Sequence, residues 1–366
     1  MNNISSKKII FIVPEYEFFL SHRSQLIQGL TKLGWKFLIV TSHNFKPDDE
    51  PGIRFKIFDT HRKRFSFLNL LRNGKRLVKL IKEENPCLIY AVSHRSIFLA
   101  RIANLFMKKK SVYAISGMGS LFSIKPNLKL GLKNSILQIL VIYIYRYLIR
   151  SNKSNFLLQN KNDLEFLINS KITKHERSFL IHGNGLEDSK FSKIESPYSK
   201  ITFIMIARLL RDKGVIEFLL AGNKILKNFN NKDIEFKLYG DIDEANFNSL
   251  NLSDIEPYLS TMIKYEGFSS KIQDSITNSS VIVLPSYREG FSKVLMEAQA
   301  CSRPVITSNV TGCKDAIIDN ETGYLVEPES VDDLVNKMEN FINNPELIKQ
   351  MGEAAYQHAL KNFTLK

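Results

Sequence analysis

The stretch 284–315, LPSYREGFSKVLMEAQACSRPVITSNVTGCKD, offers the clearest chemistry in this sequence. An apolar run, Val281–Leu284, reads as a buried strand that stops at Pro285, and a loop then carries Glu289 and Gly290. An apolar-periodic helix follows, with Val294, Leu295, Ala298 and Cys301 on one face. A glycine where strand gives way to helix lets the backbone come close to a ligand. The N–H groups of such a first turn, here near Gly290, Phe291 and Ser292, suit a phosphate, and the helix dipole adds to the attraction. Glu297, about two turns in, is placed to accept from two ribose hydroxyls. Together these features fit a nucleotide that carries a sugar.

The same stretch resembles the E-x7-E segment of retaining glycosyltransferases of the GT-B architecture, in which two Rossmann-like domains face each other across a cleft. Within them it is similar to family 4, also called group 1, and to its branch that extends lipid-linked sugars in bacterial capsule, O-antigen, lipopolysaccharide and glycan assembly. The likeness runs over nearly the whole chain and is strongest from Arg208 to Phe363. It implies catalytic roles for Arg208, Lys213 and Glu289. Arg208 and Lys213, in the run RLLRDKG after the strand ITFIMIA, would bind the donor diphosphate, and Glu289 the hydroxyls of the donor sugar. Departure of a nucleoside diphosphate leaves negative charge, which fixed cations stabilise. Arg211 is read as a solvated neighbour.

The resemblance also gives Glu297 to the ribose, and Gly267 and Phe268 to the base, Phe268 being as ready to pack in a core as to stack on a uracil ring. Gly240 ends a strand at a ligand-facing edge. The Asp241-Ile-Asp243 loop invites a metal-binding reading, but its position matches a variable loop of the family, so neither metal nor cofactor is expected. On the acceptor side, His22 and Arg23 fall after the first strand, where the bland alternative is a helix start capped by Ser21. His94 is either a further polar group there or an exposed loop histidine. Ser116 and Gly117 open the glycine-rich loop 116–122, Ser116 standing where many family members have a histidine. Gln159, Asn160 and the run Gly183-Asn184-Gly185 also match family positions. Ser302 replaces a usual glycine, and relatives continue past Thr364 into a helix that crosses back to the first domain, whereas this sequence ends at Lys366.

Such a site needs sheets to hold it, and the chain supplies them. Strands are expected at Lys8–Val13, Lys36–Val40, Arg54–Phe58, Cys87–Val92, Ser111–Ile115, Asn155–Leu158 and Ser178–Ile181. Helices fall between them at Ser21–Leu33, Phe67–Glu84, Ile97–Met107, Leu132–Ile149 and Lys161–Asn169. Further strands are read at Thr202–Ile206, Glu235–Tyr239, Ile263–Tyr265, Val281–Leu284 and Val305–Thr307, with a helix at Lys271–Ser279. Alternation of this kind makes parallel sheets covered on both faces, the doubly wound α/β class. At 366 residues the chain exceeds one core, and two domains are expected, an acceptor-binding one over 1–185 and a donor-binding one over 186–366, joined through the polar run 183–200.

Charge is unevenly shared. Residues 1–185 hold 31 Lys and Arg against 11 Asp and Glu, while residues 186–366 hold 20 against 26. In the first half the cations are mixed with large apolar side chains over 61–82, 107–110 and 129–150, which fits the face of an anionic membrane better than a nucleic-acid groove. Three scattered cysteines show neither metal spacing nor a disulfide framework. The start runs at once into KKIIFIV, without the layout of a signal peptide. No run reaches the ~18 apolar residues of a membrane span. The expected place is therefore cytoplasmic, peripheral on the inner face of the cytoplasmic membrane.

Two other readings stand beside a UDP-sugar donor and a polyprenyl-diphosphate-linked glycan acceptor. An enzyme like UDP-N-acetylglucosamine 2-epimerase shares the two-domain design but needs acid/base carboxylates that the first half does not offer. A non-catalytic, basic lipid- or nucleic-acid-binding protein would leave the donor cluster without a purpose.

Overall fold

A computed structural model describes residues 7–42, 46–58, 67–117, 142–143, 145–147, 153–181, 183, 185–186, 200–229, 233–244, 246 and 248–364. Asn184, residues 118–122 of the glycine-rich loop and most of the expected helix 132–149 lie outside them. The chain divides into two units, Met1–Ile181 and His182–Lys366, close to the boundary at 185 that the sequence suggested.

The first unit is built on a parallel sheet in the order β3-β2-β1-β4-β5-β6-β7. Its strands are β1 (Lys8–Ile12), β2 (Lys36–Thr41), β3 (Ile53–Ile57), β4 (Leu88–Val92), β5 (Ser111–Ile115), β6 (Ser154–Leu158) and β7 (Ser178–Leu180). β1 and β2 are almost wholly buried, as expected for strands covered on both faces by helices. The connecting helices include Phe67–Glu84, His94–Met107 and Lys161–Asn169.

The second unit repeats the plan in the order β10-β9-β8-β11-β12-β13, again parallel at every pairing. Its strands are β8 (Ile201–Ile206), β9 (Ile234–Tyr239), β10 (Ile263–Gly267), β11 (Val281–Leu284), β12 (Val305–Ser308) and β13 (Gly323–Val326). In both sheets the order reverses beside the first strand, at β1/β4 and at β8/β11. Connections leave in opposite directions there, which opens a crevice at the carboxyl ends of the two strands.

Several expectations need correction. The helix read over Ser21–Leu33 is two helices, Tyr16–His22 and Ser24–Lys32, broken at Arg23. Ser21 is therefore no N-cap: it lies inside the first helix, where its hydroxyl donates to Glu17 O at 2.8 Å. The helix after β10 runs only from Ile272 to Thr277, and that after β11 ends at Ala300, leaving Cys301 buried just beyond it. β13 and the helices Val331–Asn343 and Glu346–Asn362 add to the expected elements. Among the described residues no helix is long and apolar enough to cross a membrane.

Ser302 adopts φ 56°, the left-handed region that suits glycine, and its buried hydroxyl has no hydrogen-bond partner in the structure. Ser302→Gly is accordingly expected to stabilise the protein by about 1 kcal/mol. A rise in the thermal unfolding midpoint with unchanged activity is the check.

Candidate active site

The carboxyl ends of β8 and β11 hold the residues singled out in the sequence. After β8 the chain passes Ala207 and Arg208 and makes a 3-10 turn, Arg211–Lys213, before the helix Val215–Asn228. Gly214 links them at φ 75°, and a Cβ there would lie 2.2 Å from Pro285 O, so the turn is pressed against the loop that follows β11. That loop is fastened in return. Tyr287 N–H donates to Asp212 O at 2.9 Å, and the buried Ser286 hydroxyl donates to the same carbonyl at 3.1 Å. Glu289 N–H reaches Thr311 O, after β12, at 3.3 Å.

Clamping these segments brings Lys213 and Glu289 together: Nζ to Oε1 is 2.6 Å, with both side chains about 15% exposed (16% and 15%). Cys313 is buried against this pair, and burial first, then the Glu289 charge, pushes its thiol up to about 12. Tyr287 hydroxyl donates to Glu217 Oε1 at 2.7 Å, and burial followed by that bond pushes its pKa up, so it stays protonated. Ser286, Tyr287, Glu217 and Cys313 were not singled out from the sequence. Only the position of the first two between Pro285 and Glu289 signalled them.

Arg208 and Glu297 are placed differently. Arg208, at the mouth of β8, is half exposed and donates to Asp243 Oδ2 at 2.6 Å rather than to either site glutamate. Asp243 belongs to the loop that invited a metal reading. Glu297 lies little more than one turn into the helix Lys293–Ala300, nearer its start than the sequence suggested. It is 7% exposed and pairs with Lys293 at 3.2 Å. Burial nevertheless dominates and holds its carboxyl above the usual range, the lysine pulling only partly against it. Ser292 precedes that helix and is buried. The Phe291 ring serves the core, meeting Phe363 edge-on at 5.7 Å.

Across the sheet, Gly240 N–H donates to Gly267 O at 2.9 Å and Tyr265 hydroxyl to Gly240 O at 2.8 Å. Beside them Phe268 is 68% exposed, which removes the core alternative and leaves an aromatic face open to solvent. Arg211 pairs loosely with Asp254 at 3.5 Å.

In the first unit, His22 and Arg23 do not open a helix but sit at the break between two. His22 stacks on Phe18 at 4.5 Å and meets the Ser21 hydroxyl at 2.6 Å. Arg23 is buried beside Tyr90, and burial lowers its pKa. His94 is the first residue of a helix rather than part of an exposed loop. Its Nε2 lies 3.0 Å from Gly117 O, which can only accept, so Nε2 carries the proton and Nδ1 accepts from Tyr145 hydroxyl. Gly117 is thereby tied to His94. The Ser116 hydroxyl is buried and has no hydrogen-bond partner among the described residues. Asn160 is a helix cap, accepting from Asp163 N–H at 2.8 Å.

Comparison with known proteins speaks to the family and the fold. The family model described as glycosyl transferases group 1 matches residues 187–358, and that described as glycosyl transferase 4-like matches residues 8–160. A curated Campylobacter jejuni protein, N,N'-diacetylbacillosaminyl-diphospho-undecaprenol alpha-1,3-N-acetylgalactosaminyltransferase, is 25% identical over 85% of this chain and 82% of its own length. Among solved structures, sucrose-phosphate synthase from Thermosynechococcus elongatus superposes with a TM-score of 0.80 at 18% identity, covering 98% of this chain and 95% of the other. Anabaena HepE in complex with UDP-glucose gives 0.74 at 16% identity, with the same coverage. At such identities the two structures speak for the fold alone.

Proposed function

The chain belongs to the group 1 glycosyltransferases, with one family model on each of its units, and we propose that it moves a hexose or N-acetylhexosamine from a UDP-sugar to a saccharide on a polyprenyl diphosphate. The observation that carries the donor site is the 2.6 Å contact of Lys213 with Glu289 at the β8/β11 switch point. A cation for the diphosphate and a carboxylate for the sugar stand side by side where an open parallel sheet binds ligands. The Campylobacter relative, named for a diphospho-undecaprenol acceptor, supports the acceptor class, and HepE, which shares the fold, was solved with UDP-glucose.

In this reading Glu297 accepts from the ribose hydroxyls, Phe268 offers its exposed ring to uracil, and the backbone N–H groups at 290–292 meet phosphate oxygens. Lys213 exchanges Glu289 for the diphosphate, and Glu289 is released to the sugar hydroxyls. The bond from the anomeric carbon to the β-phosphate oxygen breaks as an acceptor hydroxyl bonds to the same face of that carbon. The acceptor proton passes to the departing diphosphate oxygen, so the products are the extended saccharide and UDP. Configuration is retained, and no carboxylate nucleophile is required. Arg208 and Lys213 supply the positive charge at the leaving group, and no metal is required.

The acceptor side is assigned to His22, Arg23, Ser116 and Gly117 of the first unit, with Asn184 just beyond it in sequence. The cation excess of the first unit suits the anionic inner face of the cytoplasmic membrane.

The test is a screen of UDP-sugars for UDP release with a polyprenyl-diphosphate-linked saccharide, in buffer containing a chelator, followed by determination of the anomeric configuration of the product. Release that depends on the acceptor, survives chelation and yields a retained linkage is the expected outcome. An epimer formed from donor alone would overturn the reading. Flotation with vesicles of differing anionic lipid content tests the membrane face, indifference to lipid charge counting against it.

A further inference from the structure

β8 and β9 leave their sheet side by side. Gly240 turns at φ 153°, and a Cβ on it would stand 1.7 Å from Ala207 O, so a side chain there would force the two strand ends apart. Beyond that point the two loops are laced together. Leu209 N–H donates to Asp241 O at 2.9 Å, Arg211 N–H to Asn248 O at 2.9 Å, and Leu250 N–H to Leu209 O at 2.8 Å. This lacing delivers Asp243, whose side chain is 19% exposed, to the guanidinium of Arg208, 55% exposed, at 2.6 Å. Both cations assigned to the diphosphate thus have a carboxylate on them, Lys213 from Glu289 and Arg208 from Asp243.

We propose that Asp243 is an exchangeable counter-ion, which yields Arg208 to the donor diphosphate and reclaims it as the nucleoside diphosphate leaves. The inference rests on the donor site proposed above and adds a positioning residue to it. Guanidinium pairs equally well with carboxylate and phosphate oxygens, so the exchange replaces one charge-assisted pair by another. Transfer itself breaks the symmetry. Loss of the sugar leaves more negative charge on the diphosphate, and an uncontested Arg208 would hold the product more tightly than the donor. A carboxylate laced beside Arg208 competes with the product from the moment it forms. Asp243 touches neither the sugar nor the reacting carbon; it acts through Arg208.

The experiment is a double-mutant cycle on Asp243→Asn and Arg208→Ala, read by calorimetric binding of UDP and by product inhibition, with Asp243→Ser as a second charge-removing variant should the Asn protein fold poorly. Asp243→Asn is expected to bind UDP about five- to tenfold more tightly and to deepen inhibition by UDP alike, with a smaller fall in donor KM. With Arg208 already removed, Asp243→Asn should change UDP binding less than about twofold. Unchanged or weaker UDP binding in Asp243→Asn overturns the proposal, since a residue that only braces the loop would weaken the site when lost. Equal tightening with and without Arg208 overturns it too. A parent protein that binds no UDP sinks the donor-site reading together with the inference. Weakening by Arg208→Ala alone, with Asp243→Asn neutral, sinks only the inference.

Discussion

Lys213→Ala is expected to lower turnover by about a hundredfold, the loss that follows from removing ~3 kcal/mol of stabilisation of a departing diphosphate. Lys213 is held for that task. It ends a 3-10 turn pressed onto Pro285, and its ammonium is aimed at Glu289, 2.6 Å away, in a place where little solvent screens it. The substitution also strands the Glu289 carboxylate, which is only 15% exposed, so a lower unfolding midpoint accompanies the loss of rate. The two effects separate in Lys213→Ala/Glu289→Ala. Removing both charges should return most of the midpoint, because no uncompensated carboxylate remains, while turnover stays at or below that of the single variant. Initial rates with saturating UDP-sugar and a melting curve on each variant are the measurements. Turnover near that of the parent in Lys213→Ala would remove the cation from the mechanism.

The parallel sheets were legible because strands buried on both faces read as unbroken apolar runs, such as Val281–Leu284, whose residues are all buried. Glu289, Lys213 and Arg208 were legible through the family resemblance, and the fold brings the first two into contact. What the sequence could not carry was pairing through space. Arg208 and Asp243 come from loops after different strands, and only the lacing of those loops makes one the counter-ion of the other. The break at Arg23 escaped for a related reason. Periodicity sees one amphipathic helix over 21–33, whereas a guanidinium buried beside Tyr90 interrupts it. Phe268 and Phe291 show the limit of residue type alone, as both follow a strand end. The ring of Phe291 turns inward onto Phe363, and Phe268 stays exposed.

Glu297→Gln should move activity and stability in opposite directions. A buried carboxylate that accepts from two ribose hydroxyls contributes through charge-assisted bonds of about 1.5–3 kcal/mol, so kcat/KM for the donor is expected to fall about ten- to hundredfold. The amide keeps the shape but gives up the charge and one acceptor. Stability follows the sign of the pKa shift. Burial raises the Glu297 carboxyl above its unfolded value despite Lys293 at 3.2 Å, so folding disfavours its ionised form. That cost is present in full above the raised pKa, fades as the pH falls through it, and is gone below the unfolded value. Glutamine never incurs it, and Lys293, itself 35% exposed, still reaches water. The variant should therefore melt above the parent at neutral pH, and the two midpoints should converge on acidification. Melting curves across pH, set beside donor kinetics at neutral pH, test both halves. A variant that loses midpoint as the pH rises would show that the Lys293 pair outweighs burial, and undiminished kcat/KM would take Glu297 off the ribose.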